Sequence, residues 1–351
     1  MDVHGYHHSV PDWRRPQHPK AGQLIGVELE VYHYEGSEYA AEALDSVDYG
    51  PYPAPFAEED SSLDEDRGVE IICPPLPLEE AVSSTGYIAR VMRALDETGT
   101  NRGDELGGYG MHVNINLEGW SGKEKLLVQY LINAFSGFGE RVGRRDGEGA
   151  GGYVPTFRYE RLSQEGLTLC THAGDKHCAA YIRRAVRNGP EGVEEGRVME
   201  VRFPKTTLEI QDLRNVIDYV FALRDWVRAA PNHTEAACFL AQIAGNTGRS
   251  AVEHVFGAWC TKHRPGVADI LGYSSDHKHL LKKRLDVMRE MGFINDINHV
   301  GLHHNDPSDP AGAKKQAERI CKIISSGARL QGELTAGSGG FVSASTVRAT
   351  A

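Results

Sequence analysis

Residues 23–34 read Gln23-Leu24-Ile25-Gly26-Val27-Glu28-Leu29-Glu30-Val31-Tyr32-His33-Tyr34. The alternation of apolar and polar residues in this stretch is typical of a β-strand, in which successive side chains point to opposite faces. Glu28 and Glu30 would therefore share one face, with the aliphatic side chains on the other. Two adjacent carboxylates in an apolar strand repel each other unless a cation lies beside them. The stretch predicts a strand that holds a divalent metal ion, and an edge strand with both acids in water is the alternative.

Three further segments show the same alternation, and each carries polar groups on one face of an apolar strand. They are Gly68–Cys73 with Glu70, Gly110–Leu117 with His112, Asn114 and Asn116, and Gly196–Phe203 with Glu200 and Arg202. Asparagine is uncommon in strands, so the polar face of the second segment is not typical of a surface that merely faces solvent. The pair of Glu200 and Arg202, taken alone, would equally fit a structural salt bridge.

Amphipathic helices are predicted between and after these strands. One covers Leu78 to Asp96, another begins after Ser121 and extends to Phe138, and a third runs from Ile210 through Arg224. Ser121 and Glu124 have the spacing of a capping box, which marks a helix start. Strands interspersed with helices in this way indicate an α+β core, and beyond about residue 230 only helical patterns follow.

Composition narrows the class of protein. The 351 residues carry 38 basic and 49 acidic side chains, a formal charge of −11, which disfavours nucleic acid or an anionic membrane as the main partner. No apolar run approaches the roughly 20 residues of a membrane helix, and the first twenty residues lack the pattern of a secretory signal. We therefore expect a cytoplasmic protein whose six cysteines are free thiols.

The acidic residues of these segments are hard oxygen ligands, which suit magnesium or manganese better than zinc. They are Glu28, Glu30, Asp60, Glu70 and Glu200. His112 and Arg202 add donors for phosphate oxygens. Such a set matches phosphoryl transfer, in which catalysis consists mainly of positioning and charge neutralisation.

The order of these motifs resembles that of the amidoligase family, which belongs with the carboxylate-amine ligases related to glutamine synthetase and gamma-glutamylcysteine ligase. The motifs are Gly26-Val27-Glu28-Leu29-Glu30, Asp60-Ser61-Ser62-Leu63, Gly68-Val69-Glu70-Ile71-Ile72-Cys73-Pro74-Pro75-Leu76, Gly110-Met111-His112-Val113-Asn114 and Glu200-Val201-Arg202. The resemblance covers about residues 23–208. Two positions depart from the family pattern: Cys73 stands where serine is usual, and Asn114 replaces a commoner histidine.

The resemblance implies a glutamine synthetase-like fold, with a curved antiparallel sheet backed by helices. It also implies ATP and Mg²⁺ (or Mn²⁺) as cofactors, and an acyl phosphate through which a small-molecule or peptide carboxylate is joined to an amine. The implied metal ligands are Glu28, Glu30, Glu70, His112 and Glu200. Asp60 and Arg202 would be catalytic, and His112, Asn114 and Arg202 would contact the nucleotide.

On this interpretation the chain has four parts. Residues 1–20 form a flexible N-terminal segment, 21–230 the catalytic domain, 231–334 a helical C-terminal region and 335–351 a flexible tail. The sequence leaves open whether the chain forms a homo-oligomer.

Other functions remain as alternatives at this point. A metal-dependent hydrolase or phosphotransferase could use the same acids, and a non-catalytic scaffold could keep the fold. The cluster of Cys170, His172, His177 and Cys178 offers zinc-type ligands, but its spacing fits none of the usual structural zinc patterns.

Overall fold

The structure is a computed structural model of the chain. It describes residues 1–4, 23–60, 62–64, 66–100, 109–143, 179–185, 194–231, 234, 238, 245–273, 329–331 and 348–350. The chain divides into two compact units. The first takes its described residues from Met1–Trp120, Gly139–Thr156 and Lys176–Ile217, and the second from Ser121–Phe138 and Asp218–Ala351.

The first unit is built on one eight-stranded sheet. Its strands are β1 (Val3–His4), β2 (Leu24–Tyr32), β3 (Phe56–Glu58), β4 (Gly68–Ile72), β5 (Leu76–Pro77), β6 (Met111–Asn116), β7 (Ala180–Ala185) and β8 (Glu194–Val201). The strand order is β1-β3-β4-β2-β6-β8-β7, and β5 also pairs with β2. Every pairing is antiparallel except that of β1 with β3. The predicted mixture of helices and sheet is therefore confirmed.

The four predicted strands are present as β2, β4, β6 and β8, with boundaries shifted by one or two residues. Their aliphatic residues form one face of the sheet and are buried. These residues are Ile25, Val27, Leu29 and Val31 on β2, Val69 and Ile71 on β4, Met111, Val113 and Ile115 on β6, and Met199 and Val201 on β8. Burying this face supplies the hydrophobic driving force for the sheet and fixes which side chains remain on the opposite face.

The described helices are α1 (Ser37–Ala43), α2 (Leu78–Ala81), α3 (Tyr87–Glu97), α4 (Gly122–Ala134), α5 (Ser136–Gly143), α6 (Ile210–Ala229), α7 (Gly245–His263) and α8 (Pro265–Ile270). The helix expected over Leu78 to Asp96 is divided into α2 and α3. Gly86 precedes α3, and a Cβ atom at this position would lie 2.2 Å from the carbonyl oxygen of Glu80. The turn between α2 and α3 thus brings the backbone at residue 86 so close to Glu80 that a side chain does not fit there.

The predicted capping box is confirmed. The Ser121 hydroxyl accepts a bond of 3.2 Å from the amide of Glu124, whose carboxylate accepts one of 2.6 Å from the amide of Ser121. The helix that was expected to reach Phe138 is interrupted at Phe135. This residue follows the end of α4, and its ψ of 64° is not helical.

A small antiparallel pair completes the described elements. It joins β9 (Arg329–Gln331) to β10 (Arg348–Thr350), which the sequence patterns did not predict. Among the helices that the structure describes, none combines the length and apolar character needed to cross a membrane.

Candidate metal centre

The face of the sheet opposite the aliphatic residues carries the predicted acidic and polar side chains. Cross-strand register places them next to one another. Glu28 lies opposite His112, Glu30 opposite Glu70, and Asn114 opposite Glu200. Directly opposite residues of an antiparallel pair share a face and have Cβ atoms about 5 Å apart. Residues from four segments of the chain therefore converge on one surface of the first unit.

His112 lies at the centre of this surface and is only 5% exposed. Its Nδ1 atom lies 3.1 Å from Glu28 Oε2, and its Nε2 atom lies 3.4 Å from Glu30 Oε1. The same Nδ1 lies 3.7 Å from Glu70 Oε1 and 3.8 Å from Glu200 Oε1. One imidazole thus faces four carboxylates, with each ring nitrogen towards a different side of the cluster.

Asn114 holds one of these carboxylates in place. Its Nδ2 donates a hydrogen bond of 2.8 Å to Glu28 Oε1. This bond fixes the orientation of the amide, because the flipped amide would bring its oxygen against a carboxylate. Asn114 Oδ1 is buried, and it has no hydrogen-bond partner among the residues that the structure describes. A buried acceptor without a donor destabilises the folded protein, so a ligand that contacts this atom would offset that cost.

Arg202 neutralises part of the negative charge. Its guanidinium donates a bond of 2.6 Å to Glu200 Oε1, and the side chain of Glu200 is fully buried. Burial disfavours the charged form of Arg202, but Glu200, Tyr181 and Glu30 favour it, and the net effect is a raised pKa. Arg202 therefore remains a cation beside the acids.

The pKa of Glu70 is raised well above its usual value. Burial is the largest cause, and the negative charges of Glu28, Glu30, Asp60 and Glu58 add to it. The charged forms of these acids thus destabilise one another in the absence of a cation. This agrees with the repulsion predicted between Glu28 and Glu30 on β2.

Glu58 belongs to the same face and was missed in the sequence. It lies on β3 directly opposite Glu70 and is buried. A strand of three residues is too short to show an alternating pattern. Only the Phe56-Ala57-Glu58 sequence, an acid after two apolar residues, could have signalled it.

Asp60 follows β3 and is tied into its own turn. Its Oδ1 accepts bonds of 2.8 Å from the amide and 2.9 Å from the hydroxyl of Ser62. Its charge acts on Glu70, so it lies near the edge of the cluster.

The donor set fits divalent cations. Two groups have ligand atoms that all lie within 4.8 Å of one another: Glu28, His112 and Glu200, and Glu30, Glu70 and His112. Carboxylate oxygens dominate both groups, as magnesium and manganese prefer, and no described cysteine takes part. The buried Asn114 Oδ1 is a further oxygen donor at the same place.

The structure thus brings together Glu28, Glu30, Glu70, His112, Asn114, Glu200 and Arg202, with Asp60 at the margin. The cluster of Cys170, His172, His177 and Cys178 lies outside the described residues, so its capacity to bind zinc stays a prediction.

Comparison with known families gives a match in the region of the chain that carries part of this acidic face. Residues 54–136 match the family model described as "Putative amidoligase enzyme". This range contains Glu58, Asp60, Glu70, His112 and Asn114, so the resemblance is confirmed over β3 to α4. No curated protein matches the chain significantly.

Proposed function

We propose that the protein is an ATP- and Mg²⁺-dependent ligase that joins a carboxylate to an amine on a glutamine synthetase-like sheet. The observation that carries the proposal is the convergence of four buried or half-buried glutamates on His112. The matching family model supports ligase chemistry, and the antiparallel pairing of β4, β2, β6 and β8 agrees with the sheet expected for such a fold.

The proposed reaction has two steps. A carboxylate oxygen attacks the terminal phosphorus of ATP, which gives an acyl phosphate and ADP. An amine then attacks the acyl carbon, loses a proton and displaces phosphate to leave an amide. Both steps gather negative charge on phosphate oxygens, and catalysis consists largely of placing and neutralising that charge.

The position of each residue in the site indicates its role in this reaction. Glu28, Glu30, Glu70, Glu200 and His112 would hold Mg²⁺ or Mn²⁺, which supplies positive charge for the phosphate oxygens. Arg202 is held by Glu200 at the edge of the same cluster and would orient the transferred phosphate. Asp60 would accept the proton that the incoming amine loses, or pair with the amine in its charged form.

Burial favours an enzyme over a scaffold. Glu30, Glu200 and His112 are all buried, and acids are almost never buried unless they are paired or bind a cation. Five acids on one face are typical of a cation-binding site and not of a surface that only contacts a partner.

The test is calorimetric titration of ATP into the protein with and without Mg²⁺. We expect Mg²⁺-dependent binding in the wild type, and its loss in Glu28→Gln and Glu200→Gln, each of which removes one charge with little change in volume. Glu97→Gln on the exposed end of α3 is the matched control and should bind as the wild type does.

The outcomes separate the ATP-binding functions, a ligase or a phosphotransferase, from the hydrolase and the scaffold. Unchanged binding in both site variants would refute the assignment of the site. If Mg²⁺ titrated alone binds and ATP does not, the hydrolase would be favoured, and binding of neither would favour the scaffold.

A further inference from the structure

Lys205 follows β8, and backbone pairing holds it beside the face of the sheet that carries the acids. It forms an antiparallel bridge with Gly110, the residue before β6. The hydrogen bonds that flank this bridge run from Thr206 N to Tyr109 O at 3.2 Å and from Met111 N to Pro204 O at 3.0 Å. Lys205 and Gly110 are therefore a pair that exchanges no hydrogen bonds itself, in which the Cα atoms are only about 4.5 Å apart.

Gly110 also pairs with Glu30 on the neighbouring strand β2. Glu30 N donates a bond of 3.1 Å to Gly110 O, and Gly110 N donates to the carboxylate of Glu30. Residues that lie directly opposite each other in antiparallel strands have their side chains on the same face. Lys205 thus lies in one row with Glu30, and only a residue without a side chain separates them.

A one-residue shift in register places the Lys205 side chain on this face. Along β6 and β8, Val113 lies opposite Val201. The same register, carried three residues further, would put Pro204 opposite Gly110 and Lys205 on the aliphatic face. The bridge instead has Lys205 opposite Gly110. An extra residue of this kind is typical of a β-bulge, which changes the face to which the following side chain points.

The backbone of Lys205 is fixed on its other side as well. Lys205 N donates a bond of 2.9 Å to Gly143 O. A Cβ atom at Gly143 would lie 2.6 Å from the ring of Phe203, so this segment packs closely against the end of α5. A side chain on a backbone that is held from two sides starts from a defined position, as a binding residue requires.

The row brings Lys205 next to one of the two candidate groups of metal ligands, which consists of Glu30, Glu70 and His112. Glu30 is in the row itself, and His112 lies two residues beyond Gly110, hence on the same face. At the usual spacings of paired strands, the Cα atoms of Lys205 and Glu30 are about 10 Å apart. The flexible four-carbon stem of a lysine covers part of this distance. A ligand above Gly110 would therefore meet the metal ligands on one side and the ammonium group on the other.

Arg202 is a second cation close to this place. The register of β6 and β8 puts it opposite His112, one pair beyond Val113 and Val201, and its guanidinium is bonded to Glu200. Two cations on the β8 side, with a metal ion bound by the acids on the other side, match an anion that carries more than one negative charge. The terminal phosphate of a nucleotide is such an anion, and lysine binds phosphate as a compact point charge.

We propose that Lys205 binds the terminal phosphate of the nucleotide above Gly110, and that it makes the site prefer a triphosphate to a diphosphate. This inference rests on the proposed function and adds a residue to its site. The ammonium group would keep its protons throughout the reaction. It would neutralise the phosphate oxygens while the bond from phosphorus to the ADP oxygen breaks and the bond to the substrate carboxylate forms.

The test compares the binding of ADP with that of a non-hydrolysable ATP analogue, by calorimetry in the presence of Mg²⁺. We expect the wild type to bind the analogue more tightly. In Lys205→Gln the ratio of the two dissociation constants should fall about tenfold or more, which corresponds to the loss of one charged hydrogen bond. The affinity for ADP should be unchanged, because ADP has no phosphate at this position. Lys205→Met, which keeps the unbranched stem, should behave in the same way, and Lys205→Arg, which keeps the charge, should retain most of the preference.

Arg93→Gln is the matched control, since it removes an exposed positive charge from α3 of the same unit. It should bind both nucleotides as the wild type does. Equal binding of the two nucleotides by the wild type, or an undiminished preference in Lys205→Gln and Lys205→Met, would overturn the inference. Equal weakening of both nucleotides would overturn it as well, because it would show that Lys205 acts on the fold or on the whole nucleotide. Failure of the proposed function is distinguishable, since the wild type would then bind neither nucleotide in a Mg²⁺-dependent way.

Discussion

At the scale of single residues, the charges of its side chains distinguish the candidate metal centre. Glu28, Glu30, Glu58, Glu70 and Glu200 lie on one face of a sheet, where Arg202 forms an ion pair with Glu200. Such an arrangement is unstable alone and becomes stable when cations bind. The cost of gathering these acids and the affinity proposed for a metal ion would therefore have one physical origin.

The raised pKa of Glu70 leads to a prediction of pH-dependent stability. A carboxyl whose pKa is raised on folding stabilises the protein below the unfolded value and loses this contribution as pH rises through the folded value. In metal-free protein, Glu70→Gln should therefore melt at a higher temperature than the wild type at pH 8. The difference should shrink towards zero as pH falls below about 4.5, the ordinary value for a glutamate.

Thermal melts between pH 4 and 8, with chelator, would measure this difference. Addition of Mn²⁺ should reverse the order, because the wild type gains the binding energy that the variant has lost. A variant that is less stable than the wild type at pH 8 without metal would contradict the prediction.

At the scale of elements, sequence patterns found four of the longer strands and missed β7, which has six residues, as well as the short strands. The strands β2, β4, β6 and β8 have five to nine residues, enough for alternation to be visible. By contrast, β1, β3 and β5 have two or three residues and depend on pairing with a neighbour. Similarly, the periodicity of residues 78–96 continues across the break between α2 and α3, where the backbone at residue 86 packs closely against Glu80.

That packing predicts the effect of Gly86→Ala. The added Cβ would lie 2.2 Å from Glu80 O and 2.8 Å from Ser83 Cβ, so the backbone must shift. We expect a loss of about 1–3 kcal/mol or more in the free energy of unfolding, measured by urea titration. Gly122→Ala is the control: no atom lies within 4 Å of its Cβ, and alanine in a helix should stabilise by up to about 1 kcal/mol. Equal effects of the two substitutions would show that the close contact at residue 86 does not exclude a side chain there.

The start of α4 is the second element whose energetics can be tested. Ser121→Ala removes the hydroxyl that accepts the Glu124 amide, and it should cost about 1 kcal/mol of stability. Glu124→Ala should cost more, because its carboxylate also pairs with Arg224 and Arg228. Urea titration of both variants and of Ser121→Thr, which keeps a capping hydroxyl, would measure these effects. A Thr variant as unstable as the Ala variant would show that the hydroxyl does not cap the helix.

At the scale of the whole molecule, the chain is organised as two units, each with its own core. The first contains the sheet and its acidic face. In the second, Phe256 packs against Phe135, Phe138, Tyr219 and Trp226. The second unit includes α4, which lies in the middle of the sequence, and this could not be read from patterns along the chain.

This organisation predicts where metal binding stabilises the protein. The proposed ligands come from β2, β4, β6 and β8, so a bound cation links four strands of the first unit. Addition of Mn²⁺ should slow hydrogen exchange in these strands at least tenfold and leave α7 in the second unit unchanged, as measured by mass spectrometry of peptic peptides. Equal protection of α7 would contradict a site confined to the first unit, and Glu28→Gln should abolish the protection.

The sequence by itself determined which side chains share a face within one strand. Glu28 with Glu30, His112 with Asn114, and Glu200 with Arg202 follow from a period of two residues, which is a local property of the backbone. Only the tertiary structure decided that Glu70 lies opposite Glu30, that His112 lies opposite Glu28, and that Glu58 joins them. Strand order and register depend on hydrogen bonds and apolar packing between segments far apart in the chain, and no local pattern contains that information.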